Sequence, residues 1–352
     1  MKKIIIAFSL ALVLIMVLLY FPDISSWFWG EVVREDGSRI IAPEKIITYV
    51  GAALGGTILL FQLMENNRRN DIADRGQVNL RFKDAAMLLG SEDTASILSG
   101  IYALHQIAIE CSKGKKEQRG FVKVIHDILC AYVRESAKTI TNDKGEEERI
   151  CSRPTVVMQT AVDVLFKNER NIYGKYESNL SGAVFKGVNF EKATLTGVWF
   201  ANATLTGVRF HKATLMDVGF SKATLTNVWF YGATLTKVWF DNAILRDVWF
   251  DKAILTKVWF NEATLTDVGF NGAILTDVGF NGAILTDVGF NGARLTKVRF
   301  DDATLTKVWF NEATLKKVGF RDATLTDVNF AGTKLAGYSY EEIIKKSYLL
   351  TI

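Results

Sequence analysis

The sequence predicts a mainly β protein: a four-sided β-solenoid preceded by a two-span transmembrane helical hairpin and a small all-α domain. Three observations predict it. Between residues 178 and 337 every fifth residue is Leu or Phe, from Leu180, Phe185 and Phe190 without a slip to Phe330 and Leu335. Two uncharged apolar runs, 4–21 and 46–64, stand near the amino terminus. Helix-period apolar stripes fill 77–170, between those runs and the repeats.

A strict period of five fits neither a helix nor an ordinary strand, and a repeat this short demands a solenoid. A chain that turns a quarter circle every five residues points each Leu or Phe inward on one side of a square coil of twenty residues. Two positions earlier sits a small apolar residue, Ala193, Val198, Ala203, Val208 and on to Ala323 and Val328. Ala or Val is what the crowded interior holds beside a large side chain. The remaining three positions face outward and carry Thr, Asp, Asn, Lys, Gly and Trp. Leu205, Leu225 and Leu245 then stack on one side, with Phe210, Phe230 and Phe250 on the next. About eight coils at roughly 4.8 Å each make a rod just under 40 Å long. Residues 271–280 and 281–290 are the same decapeptide, Asn-Gly-Ala-Ile-Leu-Thr-Asp-Val-Gly-Phe. Units this interchangeable suit a spacer or a contact surface better than a unique catalytic centre.

The motif Ala-Thr-Leu-Thr-x/Val-x-Phe-x-x resembles the pentapeptide-repeat family and covers nearly half the chain. The resemblance implies a right-handed quadrilateral β-helix. The best-characterised soluble members imitate the DNA duplex and bind a type II topoisomerase, which requires a dense negative surface. Here 178–337 carries 17 basic against 14 acidic residues, spread over every side, so neither DNA mimicry nor nucleic-acid binding is expected.

The first 65 residues read as a membrane hairpin with a short extracytoplasmic loop. Ile4 to Phe21 reach about 27 Å as a helix, close to the hydrocarbon thickness. Lys2 and Lys3 precede them; a cleaved signal peptide starts the same way, but no clear small-x-small site follows. Asn66-Asn67-Arg68-Arg69 follows the second run, and 22–45 carries more acid than base. The Lys/Arg bias places the N-terminus and the bulk of the chain in the cytoplasm, at a bacterial inner membrane. In the loop, 31–41 reads as a small hairpin around Asp36-Gly37, and Trp27 and Trp29 suit the headgroup zone. Gly51, Gly55 and Gly56 permit close helix packing, and 66–76 is a juxtamembrane linker.

Four stripes define the helical domain at 77–170. They are Val78, Phe82, Ala85 and Leu89; Ile97, Ile101, Leu104 and Ala108; Phe121 to Val133; and Val157, Ala161, Val164 and Leu165. Pro154 suits the first turn of the last, after a charged loop from Thr141 to Arg149. Arg81-Phe82, Leu89-Gly90-Ser91-Glu92, Gly100-Ile101-Tyr102-Ala103-Leu104 and Tyr132-Val133-Arg134-Glu135 resemble a helical module that precedes the repeats in membrane-anchored members of the same family. Physically, helices beside Leu180 cover the open end of the solenoid, whose backbone is otherwise unpaired. At the other end, 338–352 reads as a short amphipathic helix, with Tyr340, Ile343, Ile344 and Tyr348 capping the last coil or pairing two rods into a homodimer.

No constellation for chemistry is evident. Cys111, Cys130 and Cys151 are odd in number and lack CxxC spacing, which reads as reduced structural thiols. His105, His126 and His211 have no partner at ligand spacing, and no phosphate loop or nucleophile elbow is present. No enzyme activity, cofactor or metal is expected. The stacked Asp247, Asp267 and Asp287 read as a solvated edge. Trp229 with Trp249, and Trp239 with Trp259, lie one coil apart on opposite sides and should stack at about 4.8 Å. They form a self-contained aromatic ladder or an apolar docking stripe. Two readings of function follow: a membrane-held scaffold whose rod binds protein partners, or an accessory subunit of a membrane transport or signalling complex that binds through the hairpin.

Overall fold

A computed structural model of the 352-residue chain describes the backbone at 32–33, 39–40, 43–114, 118–135, 137–141, 147–151 and 155–336, and side chains at 55–70, 72–114, 118–135 and 155–335. The chain divides into two compact units, Met1–Leu80 and Arg81–Ile352.

In the first unit, β1 (Val32–Val33) pairs antiparallel with β2 (Arg39–Ile40), Val32 opposite Ile40. Helix α1 (Pro43–Leu89) begins in this unit. The apolar run at 4–21 lies outside the described residues, and the side chains of 46–54 do too. Among the described residues no helix is long and apolar enough to cross a membrane. Residues 66–76 are helical, because α1 runs through them. Glu65 lies 3.8 Å from Arg68 and 3.6 Å from Arg69, ion pairs at helical spacing that favour continuation, and no proline interrupts.

In the second unit, the end of α1 packs on α2 (Thr94–Lys113), which packs on α3 (Gly120–Arg134) and α4 (Thr155–Phe166). The Asp93 carboxylate caps α2 by accepting from Ser96 N at 2.8 Å. Gly100 sits where a Cβ would come within 2.7 Å of Leu89 N, so only glycine lets these two helices approach so closely. Most of the four expected stripes forms the core: Ala85, Leu89, Ile101, Leu104, Ile125, Leu129, Val133, Val157 and Ala161 are buried, whereas Val124 is exposed. The expected charged loop is instead a hairpin, β3 (Ala137–Thr141) paired antiparallel with β4 (Glu147–Cys151). Thr139, Ile140, Thr141 and Ile150 are β-branched and favour strand, so the domain is not purely helical.

From Ser178 to Ala336 the chain is a parallel β-solenoid of about eight turns. Each strand pairs with the one twenty residues on: Leu225 opposite Leu245, Val228 opposite Val248, and on the facing sheet Leu235 opposite Leu255. Period sets the interior, since every Leu and Phe from Leu180 to Phe310 is fully buried with its Ala or Val. Phe rings stack coil on coil, as Phe210 on Phe230 at 4.7 Å and 2°, and meet the neighbouring column edge-on, as Phe230 on Phe240 at 6.0 Å and 90°. Both geometries are favoured for aromatic quadrupoles.

The corners come from the backbone. Ala233 N donates to Phe230 O at 3.0 Å and Gly232 has φ 64°, the pattern of a type II turn. The alternate corner has Lys237 at φ 53°. Left-handed residues thus recur two positions after the centres, and they are Gly, Asn, Asp, Lys or Glu. None is β-branched, the class for which this region is least accessible.

Candidate interaction surface

The first place where unlike elements meet is the amino-terminal end of the solenoid. Gln159 of α4 donates through Nε2 to Asn189 O and accepts from Asn189 N through Oε1, both at 2.8 Å. Its amide acts as one more strand residue and satisfies backbone that would otherwise end unpaired. Phe166 lies 6.0 Å from Phe190 and continues the inner aromatic column into the helices. The helical domain therefore caps the rod.

Beside it, α3 meets β5 (Ser178–Asn179). His126 is 1% exposed. Its Nε2 lies 2.8 Å from Ser178 Oγ and its Nδ1 lies 3.1 Å from Asp127 Oδ1. A carboxylate only accepts, so Nδ1 carries the proton and Nε2 accepts from the serine hydroxyl. Tyr173 and Tyr176 close over the imidazole at 5.8 and 5.4 Å. Burial lowers the His126 pKa below the ordinary imidazole value, opposed by Asp127. Burial also pushes the Cys130 thiol, 3.6 Å from His126, up to about 12. A Ser–His–Asp order invites a catalytic reading, but Ser178 is itself 3% exposed. Its hydroxyl meets no substrate in this arrangement; it pins α3 to the first strand. Residue spacing gave no sign of this group, because Ser178 is 52 residues from His126.

On the outer surface the tryptophans behave as two ladders. Trp229 and Trp249 stack at 5.8 Å and 13°, and Trp239 and Trp259 at 5.6 Å and 15°. Both distances exceed the 4.8 Å coil spacing because the rings are offset. A third member was not foreseen: Trp199 stacks on Trp239 at 5.9 Å across two coils. Gly219 between them makes this feasible, since a Cβ there would lie 2.6 Å from the Trp199 ring. Arg209 covers the far end of the other ladder, 5.9 Å from Trp229. Ile244, Ile254, Ile274 and Ile284 add exposed apolar surface.

Beyond Trp249 a polar ladder begins. Asp251 Oδ1 accepts from Asn271 N at 2.7 Å, Asn271 Oδ1 from Asn291 N at 3.1 Å, and Asn291 Oδ1 from Asn311 N at 3.2 Å. Each side chain satisfies an amide of the next coil. Asp251 and Asn271 also occupy the space a side chain would need two residues before that amide, where a Cβ on Gly269 or Gly289 would come within 2.9 Å of the accepting oxygen, whereas Trp309 precedes the Asn311 amide. On the opposite corner Asn261 Nδ2 donates to Asp241 Oδ1 at 2.9 Å. Burial raises the Asp241 pKa above the ordinary carboxylate value, against that bond.

Charges are less mixed than the composition suggests. Asp247, Asp267 and Asp287 share one corner edge and Lys237, Lys257 and Lys297 the opposite one, half a coil away. Tyr340, Ile343, Ile344 and Tyr348 lie outside the described residues. Among the described residues no three His, Cys, Asp or Glu side chains gather as a metal site would require, and Cys111 and Cys130 are buried free thiols.

Three family models match the repeats: "Pentapeptide repeats (9 copies)" at 176–214, "Pentapeptide repeats (8 copies)" at 230–267 and "Pentapeptide repeat region" at 273–343. No curated protein matches the chain. Similar solved structures include a trypsin-treated variant of QnrB1, a plasmid-mediated fluoroquinolone resistance protein. It is 19% identical over 49% of this chain and 89% of its own, with a TM-score of 0.33. HetL, involved in heterocyst differentiation regulation in the cyanobacterium Nostoc, is 19% identical over 44% and 82%, with a TM-score of 0.17. Rfr23 from the cyanobacterium Cyanothece is 17% identical over 44% and 91%, with a TM-score of 0.23. With its five-residue period, filled interior and twenty-residue register, the rod of this chain belongs to the pentapeptide-repeat family.

Proposed function

We propose that the chain is a non-catalytic scaffold, held at a bacterial inner membrane by 4–21 and 46–64, whose rod presents a rigid surface to protein partners on the cytoplasmic side. The carrying observation is the division of labour in the repeat. From Ala183 to Phe310 its inward positions hold only Ala, Val, Leu or Phe and are buried, while the variation lies on the outside. A repeat of this kind recognises partners by surface chemistry, and the half-buried Trp229–Trp249 and Trp239–Trp259 ladders with the exposed Ile244, Ile254, Ile274 and Ile284 supply its apolar part.

Anchoring is supported by Ile58, Leu59, Leu60, Phe61, Leu63 and Met64, which are all exposed around the turns of α1. A helix apolar on every side suits lipid better than water. Membrane fractionation tests the anchor. Crosslinking in membranes, followed by identification of copurifying proteins, tests the scaffold. Partners should survive replacement of 1–65 by an unrelated two-span anchor and be lost when Trp229 and Trp249 become Ser. Loss with the anchor, but not with the tryptophans, sinks the scaffold in favour of an accessory subunit that binds through its hairpin.

A further inference from the structure

The two opposite corner edges carry matched charge sequences. Along one run Asn227, Asp247, Asp267, Asp287, Lys307 and Asp327; along the other run Asp217, Lys237, Lys257, Asp277, Lys297 and Lys317. All twelve have φ between 53° and 59°, so each side chain leaves an equivalent corner. Ten residues separate the edges in sequence, half a coil, which sets them on opposite sides of the rod.

Within one rod these charges are largely unneutralised. Lys237 lies 3.6 Å from Asp217. Among the described residues Asp247, Asp267 and Asp287 make no ion pair, nor do Lys257, Lys297 and Lys317. Like charges stacked about 4.8 Å apart repel one another, and an opposing edge of the other sign relieves both stacks. A nucleic acid or a lipid surface supplies one sign only and would satisfy one edge. A second copy of this chain supplies both.

We propose that copies of the chain associate edge to edge, the acidic edge of one rod against the basic edge of the next. The exceptions carry the argument. Lys307 interrupts the acidic edge and Asp277 the basic one. When these two face each other, the charges on either side of them, Asp287 and Asp327, find an opposite charge whichever way the second rod runs. In the same direction, Asp267 meets Lys237, Asp287 meets Lys257 and Asp327 meets Lys297. In opposite directions the partners are Lys317, Lys297 and Lys257. The parallel register also brings Asp247 opposite Asp217, whereas the antiparallel one brings no like charges together and is favoured. The contact is heterologous, so each added copy leaves a free edge and the array is open-ended. Exposed ion pairs are individually weak and screened by salt, so the association belongs to low ionic strength or to chains crowded on a surface.

The test uses the full chain in nonionic detergent, with two differently tagged forms mixed and their association measured by sedimentation and co-capture at about 0.02 M and about 0.5 M salt. Association should fall at least about tenfold at the higher salt. Lys307→Asp and Asp277→Lys should each weaken self-association by about threefold to tenfold, since each puts like charges face to face. Mixing the two variants should restore it, because Asp at 307 then meets Lys at 277 across the contact. Both residue types already occupy these left-handed corners, so the fold tolerates the exchange, and unchanged thermal unfolding verifies that. Equal association in all combinations, indifference to salt, or no association at low salt overturns the proposal.

Discussion

Removing one ring from the inner column should cost far more than any change on the surface beside it. Phe250 is fully buried, stacks on Phe230 at 4.7 Å and Phe270 at 4.9 Å, and meets Phe240 and Phe260 edge-on at 5.7 Å each. Phe250→Ala leaves a hole the size of a ring. The coils on either side cannot close over it, because their spacing is fixed by backbone bonds such as Phe250 N to Gly269 O at 2.6 Å. The loss should therefore lie in the usual range for a buried Phe, about 3–5 kcal/mol. Of this, about 0.5–1.5 kcal/mol is ring–ring interaction beyond buried area. Asp247→Ala, three residues away on the exposed corner, should stay within about 0.5 kcal/mol. The assay is urea unfolding of the full chain in detergent, followed by far-ultraviolet dichroism, with hydrogen exchange to locate the damage. Because each coil touches only its neighbours, exchange should speed up in the coils around 230–270 and much less near the first coil. Equal midpoints for the two variants would refute the claim that the filled column stabilises the rod.

Four further outcomes are expected. Asn242→Val forces a β-branched residue to φ 59° and should cost about 1–2 kcal/mol, whereas Asn242→Gly should be close to neutral, both read from urea midpoints. Gly219→Ala should push Trp199 off Trp239 at a cost under about 1 kcal/mol, because Trp199 can swing into solvent; loss of near-ultraviolet dichroism reports it. Asp241 has a raised native pKa, so the folded state holds its proton more tightly than the unfolded one. Its ionisation therefore removes stability as pH rises above about 3.9. Asp241→Asn should raise the thermal midpoint at pH 7 and lose that advantage in acid. His126 has a lowered native pKa, so its contribution is complete above about pH 6.5 and is lost as pH falls below that value. His105 is shifted the same way, chiefly by burial, so a shallower acid slope in His126→Gln than in the parent isolates the His126 part.

The interior was legible because burial in this fold depends on period alone. Leu205, Phe210, Ala213 and Val218 occupy their positions whatever the neighbouring coils contain. The corners were equally written in the chain, though as an exclusion. Gly232, Lys237, Asn242 and Asp247 belong to a series from which Val, Ile and Thr are missing, and that absence marks positive φ. Relations between coils were harder. The Trp199–Trp239 stack required noticing that Gly219 stands between them at twenty-residue spacing, and the segregated charge edges required reading every second corner separately. The His126–Ser178 contact had no local signature at all, since it depends on how α3 lands on the first strand. The β3–β4 hairpin was hidden by its charge, which masked the β-branched residues beneath.

The same logic decides where specificity can reside in such a molecule. A coil whose inside is fixed by period is exchangeable, and 271–280 repeats as 281–290 without penalty. Information must then sit where exchange would be felt: on the outward faces, and at the ends where the repeat meets something else. The outward faces use it in the alternation of Trp with Gly, because the Asp251 and Asn271 side chains occupy the room that Trp would need above Gly269 and Gly289. A tryptophan at either glycine has to displace that side chain, whereas one coil on, Asn291 keeps its bond to Asn311 N beside Trp309, so aromatic and amide groups compete at Gly269 and Gly289 and coexist at Trp309. The amino-terminal end uses it in Gln159, Phe166 and His126, three side chains that complete, respectively, the backbone ladder, the aromatic column and the contact with Ser178. Each performs for the first coil what a preceding coil would have done, so the helical domain is the part of this chain that no repeat unit can replace.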